Sequence, residues 1–104
     1  MLPPAPSAPP GIGGKFFIQG HMGRILFDTG ATHSFISRSF AQTTELIKSA
    51  ESTFTSIESS MGDGSLIFLV CKHIGITLGN LCFEVDLLIL DMVGYDVILG
   101  MDWL

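Results

Sequence analysis

From Lys15 onward, the sequence consists of short apolar runs separated by turn residues, and this spacing constrains the fold more than any other feature. Residues 16–18 and 25–27 are two such runs, each too short for a buried helix, and they flank a glycine-containing turn at 20–23. Runs of this length with glycine-rich connections are typical of small all-β barrels and sandwiches. We therefore predict an all-β domain with only short helices.

The apolar content of the chain is high for its size. Its 104 residues suit one compact domain with a single core. Hydrophobic residues make up 47% of the chain and the mean hydropathy is +0.52, yet no apolar run reaches the roughly eighteen residues that a membrane span needs. The excess must be buried in the core or in a subunit contact, so we predict oligomerisation and no membrane association.

Charge and ligand-forming residues exclude several classes of partner. The net charge is −5 and no lysine or arginine follows Lys72, which argues against nucleic-acid binding. The three histidines and two cysteines lack paired ligand spacing, so we expect no metal and no cofactor. No secretory leader is recognisable, so we interpret Cys71 and Cys82 as reduced, buried thiols, with a disulfide as the alternative, and expect a cytoplasmic location.

The chain divides into a leader and a folded part. All five prolines fall within residues 1–14, which we predict to be an extended, flexible leader. Ser34 is predicted to cap a short helix over residues 34–43. The later predicted strands cover residues 54–58, 65–71, 74–78, 81–90 and 97–99. Residues 61–64, with two glycines, are predicted to form the tip of a hairpin between the first two of these strands.

Asp28 is the residue that most directly indicates chemistry. It follows the apolar run 25–27 directly and precedes Thr29 and Gly30. An Asp at a strand end can simply cap a turn through its own main-chain hydrogen bonds. The triplet itself occurs by chance in about a few per cent of chains of this length, so it needs supporting context.

Two longer segments supply that context, because they resemble the retropepsin family of aspartic proteases and in particular the protease domain of Gypsy-type retrotransposon polyproteins. Residues 26–36 resemble the active-site loop and the short segment after it. Residues 95–104 resemble the apolar-apolar-glycine segment that packs beneath that loop, and residues 61–64 fall where the family has its flap tip. The resemblance covers residues 15–104 and implies a closed β-barrel with a short C-terminal helix.

The resemblance also implies how the chain acts. Aspartic proteases hydrolyse peptide bonds with two carboxylates that share one proton. The sequence has one such triplet, so the resemblance implies a homodimer in which two Asp28 side chains meet at the axis. The implied substrate is an extended segment of the retrotransposon polyprotein, cleaved in the cytoplasm or in virus-like particles.

Individual roles follow from the resemblance position by position. Asp28 is the implied catalytic residue, the Thr29 hydroxyl bonds across the dimer or within its own turn, and the N–H of Gly30 approaches the carboxylate. The implied substrate-contacting residues are Ala31, Thr32, Met61, Gly62, Asp63, Gly64 and Ile98. A plain core role for Ile98 and a turn role for Asp63 remain alternatives.

Two other polar residues invite a catalytic interpretation that we do not adopt. His33 lies near Asp28 in sequence, but the family mechanism uses no histidine, so we expect a loop role. Asp102 is expected to cap or pair with the C-terminal helix instead of acting as a second acid.

Two other functions stay open. One is a catalytically silent dimerisation or peptide-binding module, because the closing C-terminal strand is expected beyond Leu104 and the N-terminal strand would fall among prolines. The other is a generic β-barrel binding domain with an accidental triplet. The intact triplet at Asp28 favours the protease.

Overall fold

The computed structural model describes residues 14–28, 30–59 and 62–100. Within these residues the elements are β1 (Gly14–Ile18), β2 (His21–Phe27), β3 (Ser34–Ser37), α1 (Arg38–Thr43), a 3₁₀ turn (Leu46–Ser49), β4 (Glu51–Ser59), β5 (Gly62–Leu78), β6 (Leu81–Leu90) and β7 (Val97–Leu99). The only α-helix in this part of the chain is six residues long. The prediction of a mainly β domain with short helices is confirmed.

Six of the strands form a closed ring. The strand order is β1-β2-β7-β3-β6-β5-β4, and β1 also pairs with β5 through Phe17 and Thr77. This last pairing joins the two sides of the sheet, while β4 extends outside the ring as the partner of β5. The closed β-barrel implied by the resemblance is therefore present, with the β4–β5 hairpin attached to it.

The core lies inside the ring because apolar side chains alternate along each strand. Phe16, Ile25, Ile36 and Leu87 are completely or almost completely buried there. Phe40 of α1 closes the cluster, with its ring edge-on to the Phe16 ring at a centroid distance of 5.7 Å. The helix therefore packs against the barrel core through Phe40.

The prediction that Ser34 caps a helix is wrong. Residues Ser34–Ser37 form β3, which pairs with β6 on one side and β7 on the other. These ladder hydrogen bonds to two neighbouring strands outweigh the local tendency of a serine to start a helix. The helix begins one turn later, where the Ser37 hydroxyl accepts a hydrogen bond from the N–H of Phe40 over 3.0 Å.

The predicted hairpin between β4 and β5 is confirmed, but its strands are longer than expected. Main-chain pairing continues to Ser59 and Gly62, so Gly62, Asp63 and Gly64 belong to β5 instead of the turn. Met61 lies outside the described residues.

The strand predicted over residues 74–78 is the continuation of β5. An irregularity in its pairing with β6 lies between Cys71 and Ile74, and His73 there has a φ of 57°. A local bulge thus allows one long strand to serve both the hairpin and the barrel.

The predictions for the two chain ends lie largely outside the described residues. Of the predicted leader, only Gly14 is described, and it begins β1. The C-terminal helix falls on residues 101–104, which the structure does not describe. No helix in the described part of the chain is long and apolar enough to cross a membrane.

The two cysteines differ in environment. Both are free thiols, and Cys71 is buried as predicted. The prediction of burial is wrong for Cys82, which lies exposed near the start of β6 because its side chain faces away from the core.

Candidate active site

Asp28 lies where β2 leaves the barrel. Phe27, the last residue of β2, pairs with Leu99 of the parallel strand β7. The N–H of Asp28 donates to the carbonyl oxygen of Leu99 over 2.8 Å, which extends this ladder by one more residue. The prediction that Asp28 lies beside the segment 97–99 is confirmed.

A tight turn orients the Asp28 carboxylate. The N–H of Gly30 donates to Oδ1 over 2.9 Å, and the N–H of Ala31 donates to the carbonyl oxygen of Asp28 over 3.1 Å. A Cβ at position 30 would lie only 3.3 Å from Oδ1, so a glycine suits this close approach. Asp28 is half-buried, which leaves part of the residue accessible beyond these contacts.

The loop after Asp28 rests on the end of β7. Gly100 is buried beneath it, and a Cβ at this position would lie 2.6 Å from the carbonyl oxygen of Ala31 and still closer to that of His33. The N–H of Gly100 donates to the buried hydroxyl of Ser34 over 3.0 Å. Contacts at both ends of the loop therefore hold it against the barrel.

A strip of apolar side chains crosses the outer face of the sheet beside Asp28. In successive strands β2, β7, β3, β6 and β5, the residues in register are Leu26, Ile98, Phe35, Leu88 and Val70. The first three are half-buried, whereas Leu88 and Val70 are buried although they lie outside the core cluster. Because residues in a strand alternate between faces, Leu26 lies on the same face as Asp28. We call these five residues the apolar strip.

A cavity of about 170 Å³ lies between the β4–β5 hairpin and the loop after Asp28. Its lining residues are His33, Ser34, Thr53, Thr55, Val70, Lys72, Asp86 and Leu88. The cavity meets the apolar strip at Val70 and Leu88. The strip and the cavity together form a cleft that has an apolar part near Asp28 and a polar part under the hairpin.

The structure brings together only some of the residues singled out in the sequence. Gly30 and Ala31 contact Asp28, and Ile98 lies in the apolar strip. Thr32 is exposed, and its hydroxyl hydrogen-bonds the Nδ1 of His33 at 3.0 Å.

Other predicted positions are at the hairpin or outside the described residues. Gly62, Asp63 and Gly64 lie at the far end of the hairpin, and Thr29 and Asp102 are not described. Among residues 14–28, 30–59 and 62–100, no group of three or more His, Cys, Asp or Glu side chains is placed to hold a metal ion.

Sequence reasoning missed Leu26 and Phe35. The position of Leu26 could have been predicted from the alternation of residues along β2, because it lies two residues before Asp28 and so shares its face of the strand. Phe35 depends on the pairing of β3 with β7, which brings it beside Ile98. Nothing in the local sequence indicates this long-range pairing.

A comparison with protein-family models identifies the family of the chain. The model described as retroviral aspartyl protease matches residues 4–104. The chain belongs to the retroviral aspartyl protease family. Its closed barrel is therefore the barrel of a family member.

Solved structures support the same fold. The retroviral protease-like domain of Ddi1 from Leishmania major is similar with a TM-score of 0.64 at 15% identity, over 86% of this chain and 71% of that one. A protein of unknown function from Legionella pneumophila is similar with a TM-score of 0.56 at 17% identity, over 89% of this chain and 83% of that one. At these identities the similarity shows the fold alone. The search of curated proteins gave no match.

Proposed function

We propose that this member of the retroviral aspartyl protease family is one protomer of an aspartic endopeptidase, in which the Asp28 side chains of two copies form the catalytic pair. The observation that carries the proposal is the state of Asp28, a half-buried carboxylate oriented by the N–H of Gly30. Its loop is fixed to the barrel through Leu99 and Gly100. A fixed loop favours catalysis because reacting groups must be held within a narrow range of positions.

The proposed reaction needs two carboxylates in different protonation states. Two carboxylates in contact do not both ionise readily, so the pair holds one proton, as is well known for the catalytic pair of aspartic proteases. The ionised Asp28 takes a proton from a water molecule, which attacks the carbonyl carbon of the scissile bond. The protonated Asp28 of the second copy donates its proton to the oxygen of the scissile carbonyl. The first Asp28 then passes its proton to the amide nitrogen, while the second Asp28 takes a proton back from a hydroxyl of the intermediate. The C–N bond breaks, two peptides are released and the pair again holds one proton.

The cleft favours an extended peptide as substrate. Leu26, Ile98 and Phe35 offer half-buried apolar surface beside Asp28 for substrate side chains. Ala31 and Thr32 are proposed to line the backbone of the peptide. The hairpin residues Met61, Gly62, Asp63 and Gly64 are proposed to close over it and add main-chain hydrogen bonds.

The finer roles belong to the same proposal. Thr29 is proposed to hydrogen-bond across the dimer, which would lock the two active-site loops together. The proposed substrate is the polyprotein of a Gypsy-type retrotransposon, cleaved in the cytoplasm. The resemblance of residues 26–36 and 95–104 to that group of proteases supports this assignment.

A concentration series with an inactive variant tests the proposal. Cleavage of a peptide with apolar residues around the scissile bond should rise more steeply than linearly with protein concentration until the dimer saturates. Activity should be highest at acidic pH, where the pair retains its proton. Asp28→Asn should abolish cleavage and leave the circular dichroism spectrum unchanged.

The matched control is Asp91→Asn, at an exposed acid that pairs with Arg38 at the surface. This variant should retain cleavage, because an exposed ion pair contributes little to the fold. Equal cleavage by wild type and Asp28→Asn would contradict the proposal. Dimers without any cleavage in the wild type would instead favour a silent dimerisation module.

A further inference from the structure

Two cations lie directly opposite each other on the outer face of the barrel. Lys15 of β1 and Arg24 of β2 are cross-strand partners, and both are exposed. Like charges at facing positions destabilise a sheet, because their Cβ atoms lie about 5 Å apart. Within the described residues neither side chain forms an ion pair. The chain has only five lysines and arginines and a net charge of −5. Two of these five cationic residues therefore lie side by side on the barrel surface.

The two cations border a pocket with a volume of about 330 Å³, lined by Gly14, Lys15, Arg24, Ile25 and Tyr95. The Arg24 guanidinium lies 5.5 Å from the centre of the Tyr95 ring, which restrains its position. An acid beside the pocket is Asp96, whose carboxylate accepts a hydrogen bond from the main-chain N–H of Arg24 over 2.8 Å. Two cations against this one carboxylate leave the pocket with an excess of positive charge.

The pocket lies on the same side of β2 as the candidate catalytic residue. Arg24, Leu26 and Asp28 alternate with the buried residues of this strand, so they follow one another along its outer face. Asp28 lies four positions after Arg24, which corresponds to about 13 Å in an extended strand. An extended peptide spans this distance with about four residues.

We propose that the pocket between Lys15, Arg24 and Tyr95 binds the carboxylate of an aspartate or glutamate in the substrate, within about four residues of the scissile bond. This inference rests on the proposed function, because it assigns a substrate preference to the proposed protease. A guanidinium binds a carboxylate through two parallel hydrogen bonds, and the nearby ammonium adds a third charge-assisted donor. A substrate carboxylate would also relieve the repulsion between the two cations.

Peptide binding tests the inference separately from catalysis. A set of fluorescent peptides carries one Glu, moved from one to four positions on either side of the scissile bond, and each is paired with the same peptide carrying Gln. Their affinities are measured by anisotropy with the full chain carrying Asp28→Asn. We expect one or two Glu positions to bind about tenfold more tightly than Gln, the effect of a charge-assisted hydrogen bond.

Variants that remove one positive charge test whether Lys15 and Arg24 cause the preference for Glu over Gln. Arg24→Gln and Lys15→Gln should each reduce the Glu-to-Gln affinity ratio toward one. The control Lys48→Gln removes an equal charge from an exposed lysine that pairs with Glu45 on the 3₁₀ turn, and it should keep the ratio. Circular dichroism of each variant monitors the fold.

The pH and salt responses give independent readouts. The ratio should fall as pH drops through about 4.3, where a glutamate becomes neutral, and it should fall with added salt. Equal binding of Glu and Gln peptides at every position would overturn the inference, even if the wild type cleaves both. Preferential binding of a Glu peptide without cleavage by the wild type would uphold it and contradict the protease proposal.

Discussion

The hydroxyl of Ser34, which is completely buried, accepts a hydrogen bond from the main-chain N–H of Gly100 over 3.0 Å. This bond joins the start of β3 to the end of β7 at the level of the loop that follows Asp28. The loop can therefore shift only if a buried donor loses its partner or if β3 and β7 move with it.

Gly100→Ala should destabilise the protein. The added Cβ would overlap the carbonyl oxygens of Ala31 and His33, and main-chain atoms cannot rotate away as a side chain can. We expect a loss of about 1–3 kcal/mol in the free energy of unfolding, the usual cost of overpacking. Urea denaturation followed by circular dichroism measures it. The control is Gly75→Ala, whose Cβ would meet no atom within 4 Å, and a comparable loss in both variants would exclude the steric explanation.

Ser34→Ala should also destabilise the protein, by leaving the N–H of Gly100 buried without its acceptor. The expected loss is about 1–3 kcal/mol. Ser52→Ala, at an exposed position of β4, serves as the control and should change the free energy of unfolding by less than about 0.5 kcal/mol. If Ser34→Ala unfolds at the same urea concentration as wild type, the bond to Gly100 contributes nothing to stability.

The stability of the protein should fall at alkaline pH through Cys71. Burial raises the pKa of this thiol in the folded state, because the thiolate is poorly solvated there. Between the pKa of the unfolded chain, about 8.5, and the higher pKa of the folded state, the folded protein holds more protons. The free energy of unfolding is therefore maintained below about pH 8.5 and decreases above it.

Substitution of each cysteine separates the contribution of Cys71 to the alkaline loss of stability from that of other groups. Cys71→Ala should be less stable than wild type at pH 7 but should lose less stability between pH 7 and pH 9.5. Cys82→Ala should lose as much as wild type, since Cys82 is exposed. A thiol reagent should modify Cys82 in the folded protein and Cys71 only on unfolding. Rapid modification of both thiols in the folded state would contradict the assigned burial.

His73 marks a position where a change to glycine should be tolerated better than a change to valine. Its φ of 57° lies in the left-handed region, which is costly for β-branched residues and accessible to glycine. Its N–H donates to the Asp86 carboxylate over 2.9 Å, and both substitutions keep this donor. We expect His73→Val to be less stable than His73→Gly by about 1–2 kcal/mol in urea denaturation. Equal stabilities would mean that the bulge relaxes to a negative φ.

The sequence was most informative where the chemistry depends on residues close together in the chain. Asp28 and Gly30 are two residues apart, so the contact between the carboxylate and the N–H could be predicted from the triplet. The proximity of Asp28 to Leu99 could be predicted because two separate segments resemble one family. The strand nature of residues 34–37 could not, since Ser34 and Ser37 are equally good helix caps in local terms. Only the pairing of β3 with β6 and β7 decides between them.

Features that depend on register across the sheet were not predictable either. The apolar strip joins residues from five strands, and the opposition of Lys15 and Arg24 depends on how β1 meets β2. A shift of one residue in either pairing would turn these side chains to the other face. The local sequence specifies strands better than it specifies which residues face each other.

In the described part of the chain, the barrel closes through the single ladder pair of Phe17 and Thr77, and this has a consequence for the order of folding. β1 and β2 are neighbours in sequence, as are β4, β5 and β6, so these hairpins form with little loss of chain entropy. Joining β1 to β5 brings together residues that are far apart in the chain, which costs chain entropy. The main-chain pairing gained is only one ladder pair. We expect ring closure to follow the transition state for folding, so that substitutions at Phe17 accelerate unfolding and leave the folding rate nearly unchanged.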